Sequence, residues 1–193
     1  VSLSGARIDG LTPHEISSKG VRRTFQNGGL FGQLTVLENV LAGLHGRIGS
    51  GFFGTLLGLK GARSAEREAV AEARRLLDLM AIRHLEPALA KDLSGGQRRM
   101  VEIVRALATS PPLLLLDEPA VGLSPPVRAQ LAATIRGLAG DGLSVLLIEH
   151  AIELVMNVSD RIIVLNYGEK IADGTPDEVR ANKQVLEAYL GHA

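Results

Sequence analysis

The 193-residue sequence contains no cysteine, so it has neither a disulfide framework nor a cysteine metal site. It has no charge excess either: 21 Lys+Arg stand against 21 Asp+Glu. A protein wrapped on nucleic acid usually shows a basic surplus, and this composition gives that partner no support. No apolar run reaches the roughly 18 residues that a membrane-spanning helix requires. Val1-Ser2-Leu3-Ser4-Gly5 lacks the basic stretch and apolar core of a signal peptide. There is no internal repeat and no low-complexity linker. What the sequence has in quantity is apolar residues, at 46%, and glycine, at 22 positions. The first suffices for one sizeable core and the second fits many tight turns.

Two stretches carry the chemistry. Asp92-Leu93-Ser94-Gly95-Gly96-Gln97 reads as a Ser-Gly-Gly turn opening an amphipathic helix. Its first backbone N–H groups point outward with the positive helix end behind them, which suits a phosphate. Downstream, Leu113-Leu114-Leu115-Leu116 runs into Asp117-Glu118. That pattern predicts a buried parallel strand delivering two acids to its C-terminal edge. Taken singly, Ser94 could be a plain helix cap and the acids a coincidence. Together they suggest nucleotide phosphate chemistry with Mg²⁺.

The remaining elements alternate between strand and helix. Residues 1–10 suggest a short strand and turn, and Thr12-Pro13 starts a helix through Ser18. Val21 to Gln26 reads as a strand; on these residues alone Gln26 is a surface glutamine at its end. Thr35 with Glu38 forms a capping box opening a helix lined by Val36, Val40 and Leu44. Residues 46–64 are glycine-rich with Phe52, Phe53, Leu56 and Leu57. They read either as an insertion packed on itself or as a partner surface. Ser64 is expected to cap a helix over 65–80, and a further helix is expected from Gln97 to Thr109. Pro125-Pro126 begins a helix over 127–139, and Leu143–Ile148 is expected as a second buried strand. It ends in Glu149-His150, where a lone histidine is ordinarily structural. Residues 161–165 are expected as a third strand with a hairpin return. The Thr175/Glu178 capping box opens a closing helix to Leu190. The alternation argues for a three-layer α/β core with a parallel sheet.

These motifs resemble the ATP-binding subunits of ABC transporters, over nearly all of the chain. Leu93-Ser94-Gly95-Gly96-Gln97 is similar to the family's signature motif, Leu113–Asp117 to its Walker B strand, and Glu118 to its catalytic carboxylate. Arg23-Thr24-Phe25-Gln26 resembles the Q-loop, where the glutamine meets Mg²⁺ and the attacking water. Gly122-Leu123-Ser124 resembles the D-loop of the dimer interface. Many relatives carry Asp where this chain has Ser124, and the branched-chain subfamily tends to carry Asn, which weakens any Asp-mediated contact across the dimer. His150 resembles the switch histidine. The insertion resembles the subfamily serving branched-chain amino-acid importers.

The resemblance implies a P-loop NTPase-like α/β fold with an inserted helical subdomain. Residues 1–32 would end the N-terminal core, 33–110 would form the helical subdomain and 111–193 the rest of the core. It further implies ATP and Mg²⁺ and a second cassette in a dimer. Transmembrane permease subunits, an indirectly coupled solute-binding protein and a peripheral place on the cytoplasmic membrane face complete the picture. Gly-x-x-x-x-Gly-Lys-[Ser/Thr] is absent from the sequence; Gly54 to Lys60 comes nearest but Gly61 follows. Only 25 residues precede Gln26, and the chain begins without Met, so the expectation is a fragment or late-started subunit, inactive alone. Two other readings are a non-hydrolysing half that offers only its signature face, and a soluble ABC-type ATPase of DNA maintenance. The short insertion and balanced charge disfavour the latter.

Overall fold

The computed structural model describes residues 1–24, 29–48 and 62–190. Gln26 and most of the glycine-rich insertion, including Phe52 and Phe53, lie outside the described residues. The chain divides into two compact units, Val1–Ile148 and Glu149–Ala193.

The first unit opens with a small antiparallel pair, β1 (Ser2–Leu3) and β2 (Ala6–Arg7). Helix α1 (Pro13–Ser18) starts where Thr12 and Pro13 predict, with Thr12 and Glu15 capping each other reciprocally. Its sheet is β3 (Val21–Arg23), β4 (Leu113–Asp117) and β5 (Ser144–Ile148), all parallel, with β4 central. The register pairs Arg23 with Leu115, and Asp117 with Ile148. The carboxyl end of β4 is thereby brought to the sheet edge, as the apolar run predicts.

Between β3 and β4 lies a helical layer. Helix α2 (Val36–Ile48) is opened by the Thr35/Glu38 box. Helices α3 (Ala62–Leu79) and α4 (Gly95–Leu107) pack with it. Val36, Val40, Leu44, Leu77, Val101 and Val104 fill the centre and are essentially inaccessible. Close approach of α2 to α4 depends on Gly43. A Cβ there would lie 2.6 Å from the Arg105 carbonyl oxygen. Helix α3 begins earlier than predicted, so Ser64 is not its cap. Ser64 lies in the first turn and donates to Glu68 one turn on. Two short 3-10 turns, Arg83–Leu85 and Ala90–Asp92, lead into α4. Helix α5 (Pro125–Gly140) begins at the proline pair, and it buries Leu131 and Ile135.

A second expectation for this unit needs correction. Strand β5 is not buried on both faces. Leu146 and Ile148 are 56% and 57% exposed. The strand is the outer one of three, and alternate residues meet solvent. An apolar run cannot by itself report how many faces are covered.

The second unit holds α6 (Ile152–Val158), β6 (Ile162–Asn166), β7 (Glu169–Gly174) and α7 (Pro176–Ala181). Among the described residues, strand β6 pairs antiparallel with β7. Tyr167 and Gly168, at φ 48° and 84°, make a two-residue turn that twists with the hairpin. The closing helix is not continuous. The Asn182 carboxamide caps a new short helix, Lys183–Val185, and a π-helical turn, Leu186–Leu190, follows. A side chain that satisfies the next helix's first N–H groups interrupts the preceding one. Ile162, Val179 and Val185 are the buried centre of this unit.

Candidate nucleotide site

Ser94 is the N-cap of α4. Its hydroxyl accepts from the Gln97 amide at 3.3 Å, and the Gln97 carboxamide accepts from the Ser94 amide at 2.9 Å. The box thus satisfies one first-turn N–H of the helix. The Gly95 and Gly96 amides, also in that turn, have no partner within the helix itself. They form the positive end of a 13-residue helix. The two glycines differ. A Cβ on Gly95 would meet nothing within 4 Å, whereas one on Gly96 would touch the Leu123 methyl at 3.0 Å. Gly96 is therefore seated on the Gly122-Leu123 turn, and Gly95 presents bare backbone to open space. That gives an anion cradle with no side chain in the way.

The cradle opens into a cleft of about 1260 Å³ lined by Ser94, Gly95, Gly96, Gln97, Gly122, Leu123 and Ser124 among others. Leu123 is buried and anchors the turn, while Ser124 stands at the N-cap position of α5 without a side-chain cap bond.

Two carboxylates end β4. Asp117 Oδ2 accepts from Arg23 at 2.8 Å, and the Asp117 amide lies 3.5 Å from the Thr24 hydroxyl. Thr24 itself is buried and its amide donates to the Leu115 carbonyl. Glu118 adopts φ 47°, a left-handed conformation that strains a non-glycine residue before a proline. Its amide donates to the Ile148 carbonyl at 2.8 Å, and its carbonyl accepts from the Val121 amide. The same carbonyl accepts from Arg99 Nη2 at 3.3 Å.

Arg99, missed by the sequence reading, is buried beside Glu102 on α4, with Nη1 donating to it at 3.3 Å. Burial pushes the Glu102 carboxyl up from the ordinary carboxylate range, against the opposing pull of Arg99 and Arg105. The i, i+3 spacing was the one available signal. A second missed residue is Asn39, fully buried on α2. Its carboxamide accepts from the Phe31 amide and donates to the Phe31, Leu34 and Thr35 carbonyls, pinning the segment before α2. Arg105 donates to the Gly29 carbonyl.

Signature turn, D-loop turn and β4 carboxylates all belong to the first unit. Gln26 lies outside the described residues. His150 belongs to the second unit, with its side chain 69% exposed. The Glu149 carboxylate beside it is nearly inaccessible and accepts from the His150 and Ala151 amides at 3.2 and 3.4 Å.

The sequence profile described as "ABC transporter" matches residues 1–121. The high-affinity branched-chain amino acid transport ATP-binding protein BraF of Pseudomonas aeruginosa is 42% identical over 194 residues, covering 100% of this chain and 76% of that protein. The chain belongs to the ABC transporter family. LivG of Salmonella typhimurium, named likewise as a high-affinity branched-chain amino acid transport ATP-binding protein, is 40% identical with the same coverage. A second profile, described as "Branched-chain amino acid ATP-binding cassette transporter", matches residues 169–193. The fold is similar to that of MJ1267, an ATP-binding cassette of an ABC transporter, in its ADP conformation. The TM-score is 0.73 at 30% identity, over 97% of this chain and 75% of that one. The fold is thus that of the P-loop NTPase cassettes.

For Mg²⁺ the available donors are of the right kind. Asp117 offers a carboxylate, a hard oxygen ligand, at the end of β4. Among the described residues no group of three or more His, Asp or Glu converges.

Proposed function

We propose that this chain is the ATP-binding subunit of an ABC importer for branched-chain amino acids, with its catalytic apparatus divided between two cassettes. The observation that carries the nucleotide part is the open Gly95 backbone at the start of α4, held against the D-loop turn through Gly96 and Leu123. The importer assignment is supported by the match at residues 169–193 and by the names of BraF and LivG.

In this reading the segment 33–110 is the helical subdomain that bears the cradle. Ser94, Gly95, Gly96 and Gln97 receive the γ-phosphate of an ATP held by the partner cassette, through backbone N–H groups and the α4 dipole. Asp117 would hold Mg²⁺ through water, and the ion would supply charge neutralisation at the phosphates. Glu118 accepts the proton of the attacking water as general base. Gln26 contributes to the Mg²⁺ and water side, and His150 reads the γ-phosphate. Gly122, Leu123 and Ser124 face the partner cassette. Closure of the dimer then moves the permease subunits, and the solute-binding protein delivers the amino acid from the other membrane face.

A second reading makes the opposite forecast for Glu118→Gln. In it the chain serves a competent partner as a signature face only. ATP-driven uptake of labelled leucine into vesicles bearing the assembled transporter tests the first reading. Uptake that is abolished by Glu118→Gln in this chain supports it. Uptake and turnover indifferent to Glu118→Gln favour the second.

A further inference from the structure

We propose that Arg99 is a positioning residue for Glu118, its guanidinium fixing the left-handed turn from which the Glu118 carboxylate projects. The inference rests on the reading of Glu118 as general base.

Glu118 is held in an uncommon backbone state, and such states persist where the surroundings over-determine them. Here the amide is tied to Ile148 across the sheet and the carbonyl to Arg99 from α4. The peptide before Glu118 is held by Ile148, and the peptide after it by the Val121 amide together with Arg99, so both sides of the residue are fixed. Arg99 is itself fixed by Glu102, three residues on along the same helix face. Both side chains are buried. Fold stability alone gives little account of them, because a buried ion pair is often no better than apolar residues of the same volume. A planar guanidinium with donors on two edges, one on a carboxylate and one on a carbonyl, sets geometry. Arg99 also lies little more than one turn beyond Ser94 on α4. The helix that presents the cradle to one nucleotide therefore grips the backbone that carries the base for the other.

The test uses the assembled transporter carrying Arg99→Met, Arg99→Lys or Glu102→Gln. Arg99→Met keeps an unbranched apolar stem and removes the donors. It is expected to lower kcat for ATP hydrolysis about tenfold, the scale of one charge-assisted hydrogen bond, with the KM for ATP unchanged. Arg99→Lys recovers part of the rate, since a point charge can meet one acceptor but not both. Glu102→Gln lowers kcat in the same direction and by less. In a Glu118→Gln background, Arg99→Met leaves the nucleotide-trapped dimer intact and slows the residual turnover no further. A purely structural Arg99 would instead change KM, the dimer and Tm together, and that pattern would overturn the inference, as would wild-type kcat in Arg99→Met. The underlying reading fails separately: Glu118→Gln with wild-type turnover removes the base itself and the inference with it. An inactive Glu118→Gln beside a fully active Arg99→Met removes the inference alone.

Discussion

Replacing Gly95 by Asp separates folding from function at the cradle. Within the chain the substitution meets no obstacle, because a Cβ there has no neighbour within 4 Å. A carboxylate in the first turn of α4 is, if anything, favourable to the helix, by about 0.3–1 kcal/mol. Thermal stability is therefore expected to hold or rise slightly. Across the dimer the outcome reverses. A carboxylate about 4 Å from a phosphate, at an effective dielectric of about 20, costs about 4 kcal/mol for each unit charge. That corresponds to about a thousandfold weaker ATP-dependent association. Gly95→Ala adds only a methyl group, so it should fold normally and weaken association less, by obstruction alone. The assay is size-exclusion chromatography or analytical ultracentrifugation with ATP, in a Glu118→Gln cassette so that the complex is trapped. A Gly95→Asp protein that unfolds would show that the site is not open as described. One that folds and still dimerises with ATP would refute the cradle's role across the interface.

Three other outcomes follow from named contacts. Gly43→Ala should destabilise the first unit: overpacking against the Arg105 carbonyl costs about 1–3 kcal/mol, more than the roughly 1 kcal/mol that alanine gains in a helix; a raised urea midpoint would contradict it. The Asp173 carboxyl is pulled down to about 2 by Arg161 and Lys170. Its contribution to the β6–β7 hairpin is thus complete above the ordinary aspartate range and lost as pH falls from about 4 toward 2. Carbon-detected NMR titration should find the low midpoint in the wild type and a higher one in Arg161→Ala, and equal midpoints would rule the pairing out. Isothermal titration of the 193-residue chain with MgATP should find no micromolar site, since a P-loop's backbone amides and lysine normally supply most phosphate contacts; a micromolar constant would mean that the nucleotide site lies elsewhere.

The sequence showed most clearly what is encoded within a few residues. The boxes at Thr35 and Thr175 form as their three-residue spacing predicts, and Thr12 and Ser94, expected only as caps, close boxes as well, because each needs only a hydroxyl, a carboxylate or amide, and one turn of backbone. The β4 run and its terminal acids were equally legible. Ser64 misled because a serine can serve either as a cap or as a first-turn donor, and here it donates to Glu68 from within the first turn. Exposure of Leu146 and Ile148 depends on how many layers cover the sheet, which the apolar run of β5 does not record. The closing helix broke at Asn182, where a local side-chain cap outcompeted continuation. In the site, cradle and carboxylates were readable as motifs, whereas Arg99 and Asn39 were not. Their partners are backbone carbonyls brought near by tertiary packing, and a carbonyl has no sequence signature.

The most direct measurement is steady-state ATP turnover of the assembled transporter with Glu118→Gln in a subunit that joins this chain to a P-loop, alongside its ATP-dependent dimerisation. The amide is nearly isosteric but cannot take the water's proton, so turnover should fall by about 10²–10⁴-fold while the ATP-bound dimer persists. Turnover at the wild-type rate with the dimer intact would contradict the assignment of Glu118, and with it the division of labour between the β4 carboxylates and the Ser94-Gly95-Gly96 cradle.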